Sequence, residues 1–320
     1  MAADETDSTL AESGEFAVID RLVRGRSQPA SVTVGPGDDA AVVAAPDGRT
    51  VLCTDMLVQD RHFRLDWSSP HDVGRKAIAQ NAADIEAMGA RPTAYVVGFA
   101  APADTRTADA VGLADGMWQE ADSTGAGVVG GDMVRAPLWV ISVAALGDLE
   151  GRRPVLRSGA EPGQRVAVCG ELGRSAAGYA LWDNGIKGFD GLRRRHLVPE
   201  PPYGQGRVAA QAGATSMIDV SDGLLADLAH IATASGVYID LAGTALAGDV
   251  DAVADAARAL GSDPWQWVLG GGEDHALVAT FTAAPPPGWR VIGEVAQADG
   301  APRVTVDGAE WGGAAGWQSY

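Results

Sequence analysis

Short apolar runs rich in β-branched residues alternate with amphipathic stretches along almost the whole chain of 320 residues. These runs predict strands at residues 40–44, 51–54, 93–99, 127–129, 139–146, 165–169, 216–218, 238–241, 276–281 and 290–294. The amphipathic stretches predict helices at residues 15–24, 71–88, 107–123, 175–183, 204–212, 224–235 and 250–260. Such a mixture predicts an α/β or α+β fold, because sheets and helices bury their apolar faces against each other.

A segment rich in glycine, proline and charge, residues 147–163, divides the chain into two parts of ordinary domain size. We therefore expect a disordered leader over residues 1–13, an N-terminal domain over 14–148 and a C-terminal α/β domain over 149–320. The acidic N-terminus lacks the apolar region of a signal peptide, and no apolar run approaches the roughly 18 residues of a membrane span. The expected location is the cytoplasm.

The formal net charge of −18 argues against a nucleic-acid partner, because the phosphate backbone would be repelled. Cys53 and Cys169 lie in apolar strand-like runs, where a small buried hydrophobic residue is expected in preference to a disulfide. No CxxC motif or zinc-type histidine spacing occurs. The surplus acid could confer solubility or bind hard cations, and the positions of the acids decide between these two roles.

Acidic residues recur beside glycines or directly after apolar runs. The segments are residues 35–39 (GPGDD), 53–55 (CTD), 81–84 (NAAD), 130–132 (GGD), 219–223 (DVSDG) and 270–274 (GGGED). Any one of them alone is ordinary turn chemistry, because aspartate caps backbone N–H groups and glycine adopts positive φ. Taken together, acids that emerge from the ends of buried strands predict carboxylates converging on one crevice.

Converging carboxylates repel one another and are tolerated when cations neutralise them. Ligation by oxygen alone suits Mg²⁺ or Mn²⁺, and Mg²⁺ is typically held by carboxylates together with substrate phosphates. The neighbouring glycines would let backbone N–H groups approach phosphate oxygens. The chain lacks a P-loop, the protein-kinase signatures and a dinucleotide GxGxxG motif after a strand. We therefore predict a polyphosphate site bridged by several Mg²⁺ ions.

In order and spacing these motifs resemble those of thiamine-monophosphate kinases. The resemblance rests on residues 14–16, 35–40, 54–58, 62–63, 81–92, 130–132, 157–160, 219–227 and 271–274, and it extends from residue 14 to 320. The family is grouped with aminoimidazole ribonucleotide synthetase, selenophosphate synthetase and a hydrogenase-maturation protein. The resemblance implies a two-domain aminoimidazole ribonucleotide synthetase-like fold. Its N-terminal domains would pair through a shared β-barrel into a homodimer, with ATP between the domains and across that interface.

The resemblance also implies transfer of the γ-phosphoryl group of ATP to thiamine monophosphate, the last step of thiamine diphosphate biosynthesis, without a phosphoenzyme. Carried over motif by motif, the Mg²⁺ ligands would be Asp39, Cys53, Thr54, Asp55, Asp84, Asp132, Asp219 and Asp222. Among them Asp55, Asp132 and Asp222 would be catalytic. ATP would be contacted by Gly130, Gly131, Arg157 and Ser221, and the thiamine substrate by His62, Glu273 and Trp317. A guanidinium suits a phosphate and an aromatic face suits a cationic thiazolium ring.

The chain departs from the family pattern at a few positions. Cys53 stands where a hydroxyl residue is common, so its carbonyl is the expected ligand, and His275 replaces the usual tyrosine. Two alternatives stay open: an enzyme of the same superfamily with another phosphate or carboxylate acceptor, and a nucleotide-binding regulatory protein without turnover. The absence of a reactive cysteine in a glycine-rich N-terminal segment and of a terminal cysteine disfavours the selenophosphate and hydrogenase-maturation enzymes.

Overall fold

The computed structural model describes residues 8–36 and 40–316, apart from the side chains of residues 15 and 16. Contacts divide the chain into two compact units, Met1–Ile85 with Arg91–Glu150 and Glu86–Ala90 with Gly151–Tyr320. The change of unit after Glu150 lies within the segment 147–163 that composition singled out. Both units combine helices with a sheet, which confirms the expected mixed α/β class. Within the described part of the chain, no helix combines the length and the apolar character that crossing a membrane requires.

The first unit is built around a four-stranded sheet. Its elements are α1 (Leu10–Ser13), α2 (Glu15–Val23), β1 (Val32–Val34), β2 (Val42–Val43), β3 (Val51–Val58), α3 (Pro70–Ala87, whose last two residues belong to the second unit), β4 (Arg91–Ala101), α4 (Thr107–Thr124), β5 (Gly127–Arg135) and β6 (Val140–Asp148). The sheet order is β3-β6-β4-β5, in which β4 and β5 run parallel and the other pairs antiparallel. Strands β3 and β5 are therefore the two edges of this sheet.

The two faces of this sheet differ in burial, as the alternation of side chains along a strand requires. Tyr95, Ile141 and Val143 lie on the covered face and are almost completely buried. The opposite face, which we call the open face, carries Leu52, Met56, Val96 and Val134, which are 66%, 52%, 39% and 57% exposed. The register places these four side chains on the same face across β3, β4 and β5. Within the part of the chain that the structure describes, the apolar side chains on this side of the sheet are thus uncovered.

The second unit contains a six-stranded sheet with helices on both faces. Its elements are β7 (Arg165–Cys169), α5 (Arg174–Asp183), α6 (Asp190–Leu197), α7 (Gln205–Gln211), β8 (Ala214–Asp219), α8 (Leu224–Ser235), β9 (Val237–Leu241), α9 (Gly243–Leu260), α10 (Pro264–Gly270), β10 (Leu277–Phe281), β11 (Arg290–Gln297) and β12 (Arg303–Val306). The order is β12-β9-β11-β7-β10-β8, antiparallel except for the parallel pair β12–β9.

Alternate residues of the central strands enter two apolar clusters. Val166, Val168 and Val278 join residues of α5, α8 and α9, whereas Ala167 and Ala279 join the cluster that contains Ala209 of α7. Cys169 is free and buried, and burial raises the pKa of its thiol to about 11, so it is an unreactive core residue as expected. Strand β10 is buried along its whole length, which explains why Thr280 is its one polar residue.

Several elements were not predicted from the sequence. They are α1, α6, α10, β1 and β12. The residues of α6 include a run of three arginines, which hides its helical periodicity, and α10 begins with the cap Asp263 followed by Pro264, a start signal that was overlooked. Of the predicted leader, residues 1–7 lie outside the described residues, and α1 forms its last four positions with a capping box at Thr9.

Candidate active site

Asp55 lies in the middle of β3, on the covered face of the first unit. Its backbone N–H donates to Oδ1 of Asn81 on α3 at 3.0 Å. The Cys53 thiol donates to the Asn81 carbonyl at 3.5 Å. Asp84 follows Asn81 by three residues, so both lie on the same side of α3. The structure therefore brings Cys53, Asp55 and Asp84 to the same junction of strand and helix.

Thr54 does not share this location. Consecutive residues of a strand project to opposite faces, so the Thr54 side chain lies on the open face while Asp55 lies on the covered one. The hydroxyl of Thr54 and the carboxylate of Asp55 cannot reach the same cation within one chain. Any contribution of Thr54 at the Asp55 site would come from its backbone.

Asp132 lies at the other edge of the same sheet. Asp55 is in register with Val143, Val97 and Gly131 across β6, β4 and β5, so Asp132 is one residue beyond that line. The edges are three strand spacings apart, about 14 Å. Ligands of one Mg²⁺ ion lie within about 2.1 Å of it. Asp55 and Asp132 of one chain are therefore too far apart to hold the same ion.

The prediction that Asp55 and Asp132 emerge from strand ends is wrong. Both are in the middle of long edge strands, and only Asp219 is the last residue of its strand. The two strands were predicted to end at Thr54 and Val129, before the aspartates, but an edge strand with one uncovered face tolerates polar residues along its length. Gly131 also has a structural reason, since a Cβ there would lie 2.1 Å from the carbonyl oxygen of Val97.

The side chain of His62 hydrogen-bonds to the backbone of a turn in the first unit. Its Nδ1 accepts the backbone N–H of Val58 at 2.9 Å, and its carbonyl accepts a bond from Lys76 Nζ at 3.0 Å. An Nδ1 that accepts an N–H carries no proton, so this hydrogen bond requires the Nε2–H tautomer of the imidazole. The structure thus gives His62 a local role, and its predicted contact with substrate stays a prediction.

In the second unit, β8 leads directly into a tight acidic turn. Asp227, in the first turn of α8, accepts the backbone N–H groups of Ser221, Asp222 and Gly223 on one oxygen, at 3.0, 3.1 and 3.0 Å. The amides of this turn are therefore occupied within the protein. Ser221 would reach a phosphate through its hydroxyl, contrary to the expectation that amides beside this glycine approach phosphate oxygens.

Asp227 and His230 were not predicted as site residues. Asp222, Asp227 and His230 can each bring one ligand atom within 4.8 Å of the others, the one such group of three found among the described residues. An acid in the first turn of a predicted helix, with a histidine three residues later, is the signal that could have identified them.

Burial and mutual repulsion disfavour the charged forms of these acids. Burial, followed by the charge of Asp219, raises the pKa of Asp227 to about 7. Burial also raises the pKa of Asp222, with Asp219 adding to the rise and His230 and Arg157 opposing it. A divalent cation would relieve this repulsion, and carboxylate oxygens are the donors that Mg²⁺ prefers. The residues present at this turn fit a magnesium site.

Arg157 is exposed and lies near enough to Asp222 to oppose the rise of its pKa. Its loop is fixed by Ser235, whose hydroxyl donates to the Arg157 carbonyl and accepts from the N–H groups of Gly159 and Ala160, each at 3.1 Å. The loop approaches β8 so closely that a Cβ at Gly159 would lie 2.2 Å from the Thr215 carbonyl oxygen. A guanidinium on a rigid loop beside an acidic turn can serve a phosphate.

The segment 271–275 packs along the acidic turn. The N–H of Glu273 donates to the Ser221 carbonyl at 2.8 Å, and a Cβ at Gly272 would lie 2.5 Å from the same oxygen. Glu273 has φ of 63°, a left-handed conformation that is costly for a residue other than glycine and that is commonest at functional sites. Its carboxylate lies 3.3 Å from Nδ1 of His196, which is also 3.3 Å from the Ser175 hydroxyl.

Glu273 also borders a small cleft in the second unit. The other lining residues are Glu171, Arg174, Arg195, Pro199, Glu200 and Asp274. Glu171 forms ion pairs of 3.1 Å with both Arg174 and Arg195, and Glu200 also pairs with Arg195, so the two arginine charges are compensated within the cleft. The cleft therefore suits a ligand with a positive charge or with hydrogen-bond donors. Asp39 and Trp317 lie outside the described residues.

Comparison with known proteins matches this architecture to one family. Residues 37–149 match the family model of the AIR synthase related protein, N-terminal domain. The chain is 70% identical over 312 residues to thiamine-monophosphate kinase of Mycobacterium tuberculosis (strain H37Rv), covering 98% of this chain and 93% of that protein. It is 37% identical over 276 residues to thiamine-monophosphate kinase of Escherichia coli K12, covering 83% and 82%.

Solved structures of thiamine-monophosphate kinases are also similar to this chain. Thiamine-monophosphate kinase from Stenotrophomonas maltophilia K279a is similar with a TM-score of 0.77 and 29% identity, covering 92% of this chain and 95% of that chain. AaThiL complexed with AMPPCP and TMP gives a TM-score of 0.76 and 29% identity, covering 98% and 99%. The identity and coverage of these relatives show that the chain belongs to the thiamine-monophosphate kinase family, in the aminoimidazole ribonucleotide synthetase-like superfamily, and that it is a kinase.

Proposed function

We propose that this protein transfers the γ-phosphoryl group of ATP to thiamine monophosphate, producing thiamine diphosphate and ADP in a Mg²⁺-dependent reaction. The observation that carries the proposal is the 70% identity to a thiamine-monophosphate kinase over 98% of the chain. The related AaThiL structure holds an ATP analogue, AMPPCP, together with TMP, which fits direct transfer between two bound substrates.

In the proposed reaction an oxygen of the thiamine monophosphate phosphate attacks the γ-phosphorus of ATP in line with the bond to the β–γ bridging oxygen. The new P–O bond forms as that bond breaks, and ADP leaves with the bonding electron pair. The attacking phosphate is already ionised at neutral pH, so no strong general base is required. When bound, Mg²⁺ would neutralise the phosphate charges that otherwise keep the two anions apart.

The residues proposed to hold Mg²⁺ fall into two groups. Asp55, Asp84 and the carbonyl of Cys53 form the first group at the junction of β3 and α3. Asp219 and Asp222 form the second at the end of β8, beside Arg157 and Ser221. The predicted roles of Asp39 and Trp317 are also part of the proposal.

We also propose that two copies of the chain pair through the open face of the first unit. The described residues leave an apolar surface without a cover, which is typical of an interaction site, and it is formed by Leu52, Met56, Val96 and Val134. Pairing of two such sheets into a barrel would bury that surface and remove the exposed strand edges.

The test is incubation with ATP, Mg²⁺ and thiamine monophosphate, followed by mass detection of thiamine diphosphate and a coupled assay of ADP release. Thiamine, which lacks the attacking phosphate, is the control acceptor and should give no release. A regulatory protein would bind ATP without acceptor-dependent ADP, and an enzyme with another acceptor would leave thiamine monophosphate unchanged. Millimolar EDTA should abolish turnover, and ATP affinity unchanged by EDTA would count against the metal-bridged site.

A further inference from the structure

His275 and Asp219 form a buried side-chain pair at the end of β8. Nδ1 of His275 lies 3.0 Å from Oδ2 of Asp219, and the two residues are only 5% and 4% exposed. A carboxylate offers acceptors only, so the Nδ1–H group of His275 is the donor. The His275 side chain thus faces a predicted metal ligand.

Backbone hydrogen bonds on both sides of His275 fix the position of this residue beside Asp219. The N–H of His275 donates to the Val220 carbonyl at 2.8 Å, and the N–H of Val220 donates to the Ala276 carbonyl at 2.8 Å. The next residue, Leu277, pairs with Asp219 in the ladder between β10 and β8. His275 itself has φ of 53°, a conformation that histidine and asparagine adopt more readily than most residues. The backbone of His275 is therefore fixed beside Asp219, and because the residue is only 5% exposed its imidazole has little room to rotate away.

We propose that His275 is a positioning residue that holds the Asp219 carboxylate in the orientation needed to bind a divalent cation. The Nδ1–H group occupies one carboxylate oxygen, so rotation of the carboxylate is restricted while its remaining lone pairs stay available. Groups that orient metal ligands in this way commonly change metal affinity by 10–100-fold when removed. The inference rests on the proposed function, in which Asp219 is a metal ligand.

The restriction is useful because Asp219 has acidic neighbours. Its carboxylate lies close enough to those of Asp222 and Asp227 for the three negative charges to repel one another. An unrestrained Asp219 carboxylate would turn away from that repulsion. A neutral or charged imidazole donor opposes this rotation and keeps the acids together. A purely structural pair would instead contribute to stability without affecting metal binding.

Three variants separate the two roles: His275→Asn, His275→Gln and His275→Leu. Asparagine places an N–H donor close to the position of Nδ1 and tolerates the left-handed backbone, whereas glutamine places its donor farther out and leucine has none. The readout is Mn²⁺ binding by electron paramagnetic resonance in the presence of AMPPCP, with urea unfolding measured in parallel. Asp219→Asn is the reference for loss of the ligand.

We expect His275→Asn to bind Mn²⁺ within about threefold of the natural protein, and His275→Gln and Asp219→Asn to weaken binding about tenfold or more. Unchanged Mn²⁺ affinity in His275→Gln, or equal loss in the asparagine and glutamine variants, would overturn the inference, even if His275→Leu fails to fold. The assay contains no thiamine monophosphate. Failure of the proposed kinase activity would therefore appear separately, as a natural protein that makes no thiamine diphosphate.

Discussion

Oδ1 of Asn81 accepts the backbone N–H of Asp55 at 3.0 Å, and this bond joins α3 to the edge strand β3 at a predicted metal ligand. The Asn81 amide is held in that orientation because its Nδ2 donates to the Ala77 carbonyl at 2.9 Å. Asn81 is completely buried, so neither of its polar groups has water as an alternative partner.

Replacing Asn81 with leucine should destabilise the protein and impair catalysis together. The change leaves the N–H of Asp55 without its acceptor, and an unsatisfied buried donor costs about 1–3 kcal/mol. Urea unfolding measures the stability and steady-state kinetics measure kcat. Asn184→Leu is the matched control, since Asn184 makes the same type of bond to Ala180 at 2.9 Å but is exposed. Equal effects of the two substitutions would contradict the special position of Asn81.

Asp55→Asn and Asp132→Asn should each lower kcat severely with thiamine monophosphate as acceptor. Loss of a carboxylate that neutralises charge in the transition state should cost several kcal/mol, which corresponds to about 10²-fold or more in rate. Asp122→Asn, on the exposed side of α4 in the same unit, should keep the natural rate. Near-normal turnover of Asp132→Asn would refute its catalytic role.

If two copies pair as proposed, Met56→Glu should convert that dimer to a monomer. Met56 is 52% exposed in the single chain and lies on the open face, where a buried charge without a partner would be strongly unfavourable. Light scattering after size-exclusion chromatography measures the mass. Val291→Glu changes an apolar residue of similar exposure, 42%, on the second unit and should leave the mass unchanged. A natural protein that is monomeric at micromolar concentration would end the pairing proposal.

Asp274 should make the stability fall as the pH rises between about 4 and 7. Burial raises its pKa to about 7, although its carboxylate accepts the N–H groups of Gly173 and Ser175. The folded state therefore binds more protons than the unfolded state in that window, and the free energy of unfolding decreases by up to about 1.4 kcal/mol per pH unit.

Urea unfolding of the metal-free protein at pH 5, 6 and 7 measures this slope. Asp274→Asn removes one titrating group and should make the slope shallower, while Asp227, whose pKa burial also raises to about 7, keeps contributing a slope of the same sign. The substitution also weakens the hydrogen bonds that the Asp274 carboxylate accepts at the start of α5. Asp183→Asn, an exposed acid at the other end of α5, should leave the slope as it is. A slope that is the same in the natural protein and in Asp274→Asn would show that another group causes it.

Much of the fold could be predicted because the strongest signals are local. The helix of residues 71–88 and the strand at 165–169 follow from periodicity, and both appear within a residue of their predicted bounds. The acids beside glycines predicted hard-cation chemistry, and the order of the motifs predicted the family. These properties depend on residue types and spacing along the chain, which the sequence contains directly.

The tertiary structure decided what spacing cannot specify. It put Thr54 and Asp55 on opposite faces, separated Asp55 from Asp132 by the width of a sheet, and occupied the amides of the turn at Ser221 with Asp227. It also paired His275 with Asp219, although 56 residues separate them in the chain. Packing between distant segments sets the strand order and the partners of each buried polar group. The order of residues alone therefore determined which chemical groups this protein has, and the fold determined which of those groups lie together.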